Sequence, residues 1–150
     1  YVSVRKSRFS YGLIEESGEF VINLVPENLV SVCDSCGVKS GRDLDKFKAY
    51  NLTAAAAKTL KNAPIIEECP VNIECKVIQK IPLGSHDVFM ASITAVNVDN
   101  DLIDENGKIR LWKAKLCAYA HGSYYALGKH LGDFGFSVRK KKEKKVKNLR

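Results

Sequence analysis

The stretch Cys36-Gly37-Val38-Lys39-Ser40-Gly41-Arg42-Asp43-Leu44-Asp45-Lys46-Phe47 decides how the rest of the chain is read. It follows a predicted helix and sets glycines, a hydroxyl and cations side by side, with no room for a core. Such a segment lies close against a ligand, because glycine has no Cβ and small residues leave backbone N–H groups bare. Upstream, Ser3-Val4-Arg5-Lys6-Ser7-Arg8-Phe9-Ser10 has the same chemistry, with cations and hydroxyls interleaved. Two polar, cationic loops on one small chain imply a ligand that carries phosphate.

Around these loops the pattern is that of a β-rich α+β chain. Tyr1–Arg5 alternates as a strand, and Ser7 or Ser10 is placed to cap a short helix ending at Gly18. Phe20–Leu24 reads as a buried strand. Pro26 stands where a first-turn proline is tolerated, opening a helix through Asn28, Leu29, Val32 and Cys33 that stops at Gly37. Thr53 and the four alanines after it suit a short helical turn, or tight packing under a loop. Val71, Ile73, Cys75 and Val77 alternate with Asn72, Glu74 and Lys76, which predicts a half-buried strand, and 86–98 is a second long β-like run. Asp104-Glu105-Asn106-Gly107 carries the Asn-Gly signature of a hairpin turn, and Lys115–His121 closes the set. The absence of a βαβ repeat argues against a parallel Rossmann sheet.

A chain of 150 residues with 45% hydrophobic side chains suits one domain of ordinary size. Its net charge of +7 belongs entirely to its end. Residues 139–150 hold eight basic side chains against Glu143 alone, leaving the other 138 residues with 16 of each sign. A nucleic-acid-binding domain shows its basic excess on the folded body, so no specific nucleic-acid partner is expected, and the tail reads as a solvated terminus. No apolar run approaches the ~18 residues of a membrane span. Five cysteines, an odd number, argue against a disulfide framework and for the reducing cytoplasm. Cys33-x-x-Cys36 has the spacing of a redox or zinc pair, but zinc wants a second pair at similar spacing, and no metal is expected. Cys75 and Cys117 fall at apolar strand positions and read as small core residues, while His121 and His130 lie in no motif. Nothing matches a nucleophilic triad, a zincin helix, a Walker loop or a dinucleotide fingerprint.

In their order along the chain, these segments resemble the flavoredoxin and flavin-reductase-like family. The resemblance is carried by Ser10-Tyr11-Gly12-Leu13-Ile14, by Gly18–Leu24, by the Cys36–Phe47 run, by Ala63-Pro64, by Leu83–Phe89 and by Tyr124-Tyr125-x-Leu-Gly. It implies a mainly β (α+β) fold, a split β-barrel with Greek-key-like antiparallel strands and a few short helices, of the FMN-binding type. Family members begin with further strands, so residues 1–138 are expected to form that domain without its N-terminal strands, and 139–150 a basic tail. FMN is an electron carrier in its own right, so the protein has to bind, orient and tune it. Arg5, Arg8, Ser10 and Lys46 are the candidates for its phosphate. Cys36, Gly37 and Ser40 are the candidates for the isoalloxazine edge or ribityl chain, through backbone N–H groups of 36–40. His86 falls in a matching segment and is the candidate catalytic residue, facing the flavin or an approaching nicotinamide.

By the same resemblance the flavin accepts hydride from NAD(P)H, or electrons from a redox protein, and passes them on. That implies an FMN-dependent NAD(P)H oxidoreductase, a flavin reductase. The alternatives are a flavoredoxin-type carrier without fast NAD(P)H turnover and a flavin-free binding domain. A homodimer with the flavin near its interface is also implied. Tyr119, Tyr124, Tyr125, Phe134 and Phe136 crowd the short, glycine-broken segments near the C-terminus, and a partner subunit is one way to cover such rings.

Overall fold

β-Branched and aromatic residues concentrate between 71 and 98, and this region builds the sheet. The computed structural model describes residues 1–139. In chain order these form β1 (Val2–Arg5), α1 (Phe9–Ser17), β2 (Glu19–Leu24), α2 (Val30–Val38), α3 (Lys46–Ala49), β3 (Ala54–Ala55), β4 (Ile65–Ile66), β5 (Val71–Leu83), β6 (His86–Val98), β7 (Cys117–Ala120) and β8 (Ser123–Ala126). Short 3-10 turns fill the gaps.

The main sheet has the antiparallel order β1-β6-β5-β2. β5 and β6 are joined across Gly84-Ser85, with Leu83 paired to His86, and Gly84 takes the left-handed φ of +72° that such tight hairpins require. Register shifts at Glu74/Cys75 and Val77/Gln79 add a residue to one strand and bend the pair. The sheet curls into the open half-barrel of a split β-barrel, the mainly β architecture expected. Phe20, Cys75 and Phe89 form its core, with Val2, Val4, Tyr11 and Ile14 packed against them. A second cluster, Val71, Leu102, Ala114 and Leu116, seals the end where β5 begins. No helix among the described residues is long and apolar enough to cross a membrane.

Several local expectations are corrected. Neither Ser7 nor Ser10 caps α1. Its N-cap is Arg8, without a side-chain bond, because the chain enters the helix from a turn in which Arg8 N–H donates to Arg5 O (2.9 Å). Gly18 does end α1, with φ +65° and its N–H on Ile14 O. α2 does not stop at Gly37 but runs to Val38, since its last carbonyls find partners elsewhere in the fold, as described below. The alanine run holds no helical turn: Ala54 and Ala55 pair with Ile66 and Ile65 in a small ribbon. Asp104–Gly107 turns as expected, Asp104 Oδ1 accepting N–H groups of Asn106 and Lys108, but only a single bridge, Ile103 with Ile109, flanks it. β7 pairs only with β8, across His121 (φ +48°) and Gly122 (φ +83°), as a separate two-stranded ribbon rather than a strand of the main sheet. The basic residues from Lys140 onward lie outside the described residues.

The largest departure is in β5. Asn72 and Glu74, expected on a solvated face, are buried. The loop between β3 and β4 lies over Glu74, while Asn72 donates Nδ2–H to Cys69 O at 3.0 Å. Glu74, fully buried, accepts Lys58 N–H (2.9 Å), Thr59 N–H (2.8 Å), Thr59 Oγ1–H (2.6 Å) and Asn97 Nδ2–H (2.8 Å). On β2, Glu19 takes the N–H groups of Lys61 (3.0 Å) and Asn62 (2.8 Å) from the same loop. Burial alone would raise the Glu74 carboxyl, yet its hydrogen bonds more than offset this and hold it at about 2. The N–H bonds from Asn62 and Lys61 likewise hold Glu19 below its ordinary value against burial.

Candidate functional site

The two cationic loops meet. Arg5, Ser7, Arg8, Phe9, Ser10 and Leu13 from the first loop and its helix, and all but Asp43 of the Cys36–Phe47 run, line one cleft of about 980 Å³. All seven residues expected from the sequence to contact a cofactor contribute to it. His86 does not line it: it opens β6 opposite Arg5 in the register, its Nδ1 hydrogen-bonded to Ser85 Oγ at 2.9 Å.

The cleft is shaped by the C-terminal end of α2. A helix leaves its last carbonyls without partners, and cations favour that end. Lys46 Nζ donates to Cys36 O at 2.6 Å and Arg8 Nη1 reaches Gly37 O at 3.5 Å. From the other side Arg42 Nη1 donates to Ser7 O at 3.4 Å, and its guanidinium lies over the Phe9 ring, 5.6 Å from the centroid. Gly41 passes so close to this ring that an added Cβ would stand 2.8 Å from Phe9 Cδ1. Gly41 thus packs against a ring of the protein itself, and Gly37 lies within the last turn of α2. The helix also takes up backbone donors expected to face a ligand: Cys36, Gly37 and Val38 lie in α2, and Lys39 N–H donates to Ser35 O. Ser40 begins the loop proper, its Oγ accepting Arg42 N–H at 3.1 Å.

The lining is strongly cationic. Arg5, Arg8, Lys39, Arg42 and Lys46 face one carboxylate, Asp45, which is itself engaged by the N–H and ammonium of Lys48. Phe9, Leu13, Leu44 and Phe47 supply apolar surface beside them. Phe9, Lys39 and Arg42 were in view in the sequence, yet nothing in a linear reading shows that Arg42 stacks on a ring 33 positions earlier. Cys36 and Cys33 do not share a site. Cys36 lines the cleft, while Cys33 lines a separate pocket of about 200 Å³ with Cys117 and Tyr124, where burial raises its thiol.

Residues 1–128 match the family model described as "Flavin reductase like domain". An uncharacterized protein of Archaeoglobus fulgidus is 34% identical over 95 residues, covering 63% of this chain and 53% of its own length. The chain spans about half the length of the curated relatives it matches. Among solved structures, flavoredoxin of Desulfovibrio vulgaris (Miyazaki F) is 28% identical with a TM-score of 0.82, over 91% of this chain and 73% of that one. An FMN-binding protein from Thermus thermophilus, solved with 1-cyclohex-2-enone bound, is 26% identical with a TM-score of 0.71, over 88% and 71%. A cationic cleft of this size on a split half-barrel, together with a family match over most of the chain, settles the assignment: the chain belongs to the flavin reductase-like family.

Proposed function

We propose that residues 1–138 are an FMN-binding domain that passes hydride or electrons from NAD(P)H, or from a redox protein, through the flavin. One observation carries this reading: the residues read from the sequence as cofactor contacts line a single cleft. Its volume lies within the ~300–1,000 Å³ of ordinary ligand sites. Its chemistry also fits the group, with cations for a phosphate and the rings of Phe9 and Phe47 beside them for a planar aromatic system.

In this reading Arg5, Arg8, Ser10 and Lys46 hold the phosphate, and Cys36, Gly37 and Ser40 flank the ring or ribityl chain. FMN, when bound, supplies the redox chemistry by taking up hydride or single electrons and releasing them. The chain binds and orients it. Lys46 is already held at the end of α2, so little of its side-chain freedom remains to be lost on binding. His86 stands outside the cleft, hydrogen-bonded to Ser85, so its role toward a nicotinamide rests on the family resemblance alone. The likeness to flavoredoxin favours a second reading, a carrier without fast NAD(P)H turnover. The visible spectrum of the purified protein with a flavin count tests the proposal: a yellow protein releasing FMN on denaturation is expected. A colourless protein that takes up no flavin, or release of FAD, would overturn it. NADPH oxidation with free flavin as acceptor separates reductase from carrier.

Two further parts of the proposal concern assembly. We assign a homodimer with the flavin near its interface, because Tyr119, Tyr125, Phe134 and Phe136 are exposed and do not complete the protein's own core. Sedimentation at micromolar concentration is expected to give a dimer mass; a monomer with flavin fully bound would remove both dimer and shared site. The basic tail carries the whole net charge yet lies beyond the family match, so truncation after Val138 is expected to leave flavin occupancy intact. The five free thiols fit the reducing cytoplasm as its compartment.

A further inference from the structure

One buried charge is not used by the cleft. Asp87, on β6 opposite Val4, is 2% exposed. Its Oδ2 accepts the Tyr11 hydroxyl at 2.7 Å, and Lys6 Nζ stands 3.4 Å from Oδ1. Lys6 sits in the turn that ends β1, and Tyr11 lies in the first turn of α1. A single carboxylate therefore ties the strand end to the helix start, across a turn closed by Arg8 N–H on Arg5 O. The Tyr11 ring meets Phe89 edge-on at 5.4 Å, which restricts the phenol further. The surrounding charges agree: Lys80 pairs with Glu15, and Glu15 is a weaker second acceptor for Tyr11 at 3.4 Å. Lys6, Tyr11 and Asp87 do not line the cleft, whereas Arg5, Ser7, Arg8 and Ser10, interleaved with them, do.

An ion pair whose cation stays half exposed adds little net stability, so its value here is geometric. We propose that Asp87 is a positioning residue for the cleft, acting through Lys6 and Tyr11 to hold the turn that presents Arg5, Arg8 and Ser10. The inference rests on the FMN reading above. Asp87 touches no ligand. It fixes the base from which the guanidinium groups reach out, and a small misplacement of such groups costs affinity steeply.

The test is FMN titration of the full chain by flavin fluorescence, with melting temperature recorded in parallel. Lys6→Met removes an exposed partner and is expected to shift melting by no more than about 2 °C. It should still weaken FMN binding severalfold, and Asp87→Asn roughly tenfold. In an Arg8→Ala background the Lys6→Met loss should shrink, because the group being positioned is gone; a purely structural role predicts additive losses. Unchanged FMN affinity in Lys6→Met and Asp87→Asn, or full additivity with Arg8→Ala, overturns the inference while leaving the FMN reading in place. Failure of the unaltered chain to bind FMN overturns both.

Discussion

Glu74→Ala is expected to be the most destabilising single change in the protein, costing about 3–4 kcal/mol and lowering the melting temperature by roughly 10 °C. The carboxylate accepts four hydrogen bonds, and its removal leaves Lys58 N–H, Thr59 N–H and Asn97 Nδ2–H buried against an apolar stub. Glu74→Gln keeps one acceptor oxygen but turns an NH₂ toward other donors, so it should cost about half as much. The pH dependence has a definite sign. The Glu74 carboxyl falls from 4.5 to about 2 on folding, so its contribution is fully present above pH 4.5 and is lost as pH drops toward 2. Glu19 is depressed as well and acts in the same direction. Urea denaturation of the parent and Glu74→Ala proteins should show a wide gap at pH 7 that narrows below pH 4. A gap independent of pH would mean that the side chain acts by packing alone.

Arg8→Ala is expected to have the largest effect on the ligand. Removing a charge-assisted contact to phosphate costs about 1.5–3 kcal/mol, roughly tenfold or more in affinity. Arg8 also reaches Gly37 O at the end of α2, so its loss loosens the cleft from both loops. Arg5→Ala should weaken FMN comparably, and Ser40→Ala less, since a neutral hydroxyl makes a weaker contact than a guanidinium. If all three variants keep the parent affinity, the flavin binds elsewhere.

What the sequence discloses and what it hides follow a physical line. The apolar alternation Val71, Ile73, Cys75, Val77 marks β5 correctly because one face meets the core. The same rule mislabels Glu74, whose cover is an irregular loop without periodicity, fixed by the very carboxylate it buries, and Asn72, which turns inward to Cys69 O. The end of α2 is hidden for a similar reason. Gly37 is a reasonable stop on local grounds, and the last turn persists because Lys46 and Arg8, distant in sequence, take up its carbonyls. The strand expected over Lys115–His121 shortens to Cys117–Ala120, because His121 and Gly122 take the two positive φ values of a tight hairpin turn into β8. The cleft was legible because loop composition survives without geometry. Asp87 was not, since a single aspartate in a β-run gives no sign of which turn it grips.

The long β5–β6 hairpin also bears on how the chain finds its fold. Its two strands of 13 residues are closed by only Gly84 and Ser85, so pairing can zip from the turn with little loop entropy at each step. β1 and β2 precede the hairpin and join opposite edges of it, which requires closing the far longer stretches between Arg5 and His86 and between Leu24 and Val71. In a nucleation picture the hairpin forms first and the edges condense onto it. Both cationic loops hang from those late edges, so in the same picture the cleft assembles after the hairpin, and its amides are expected to exchange hydrogen before those at the centre of β5 and β6.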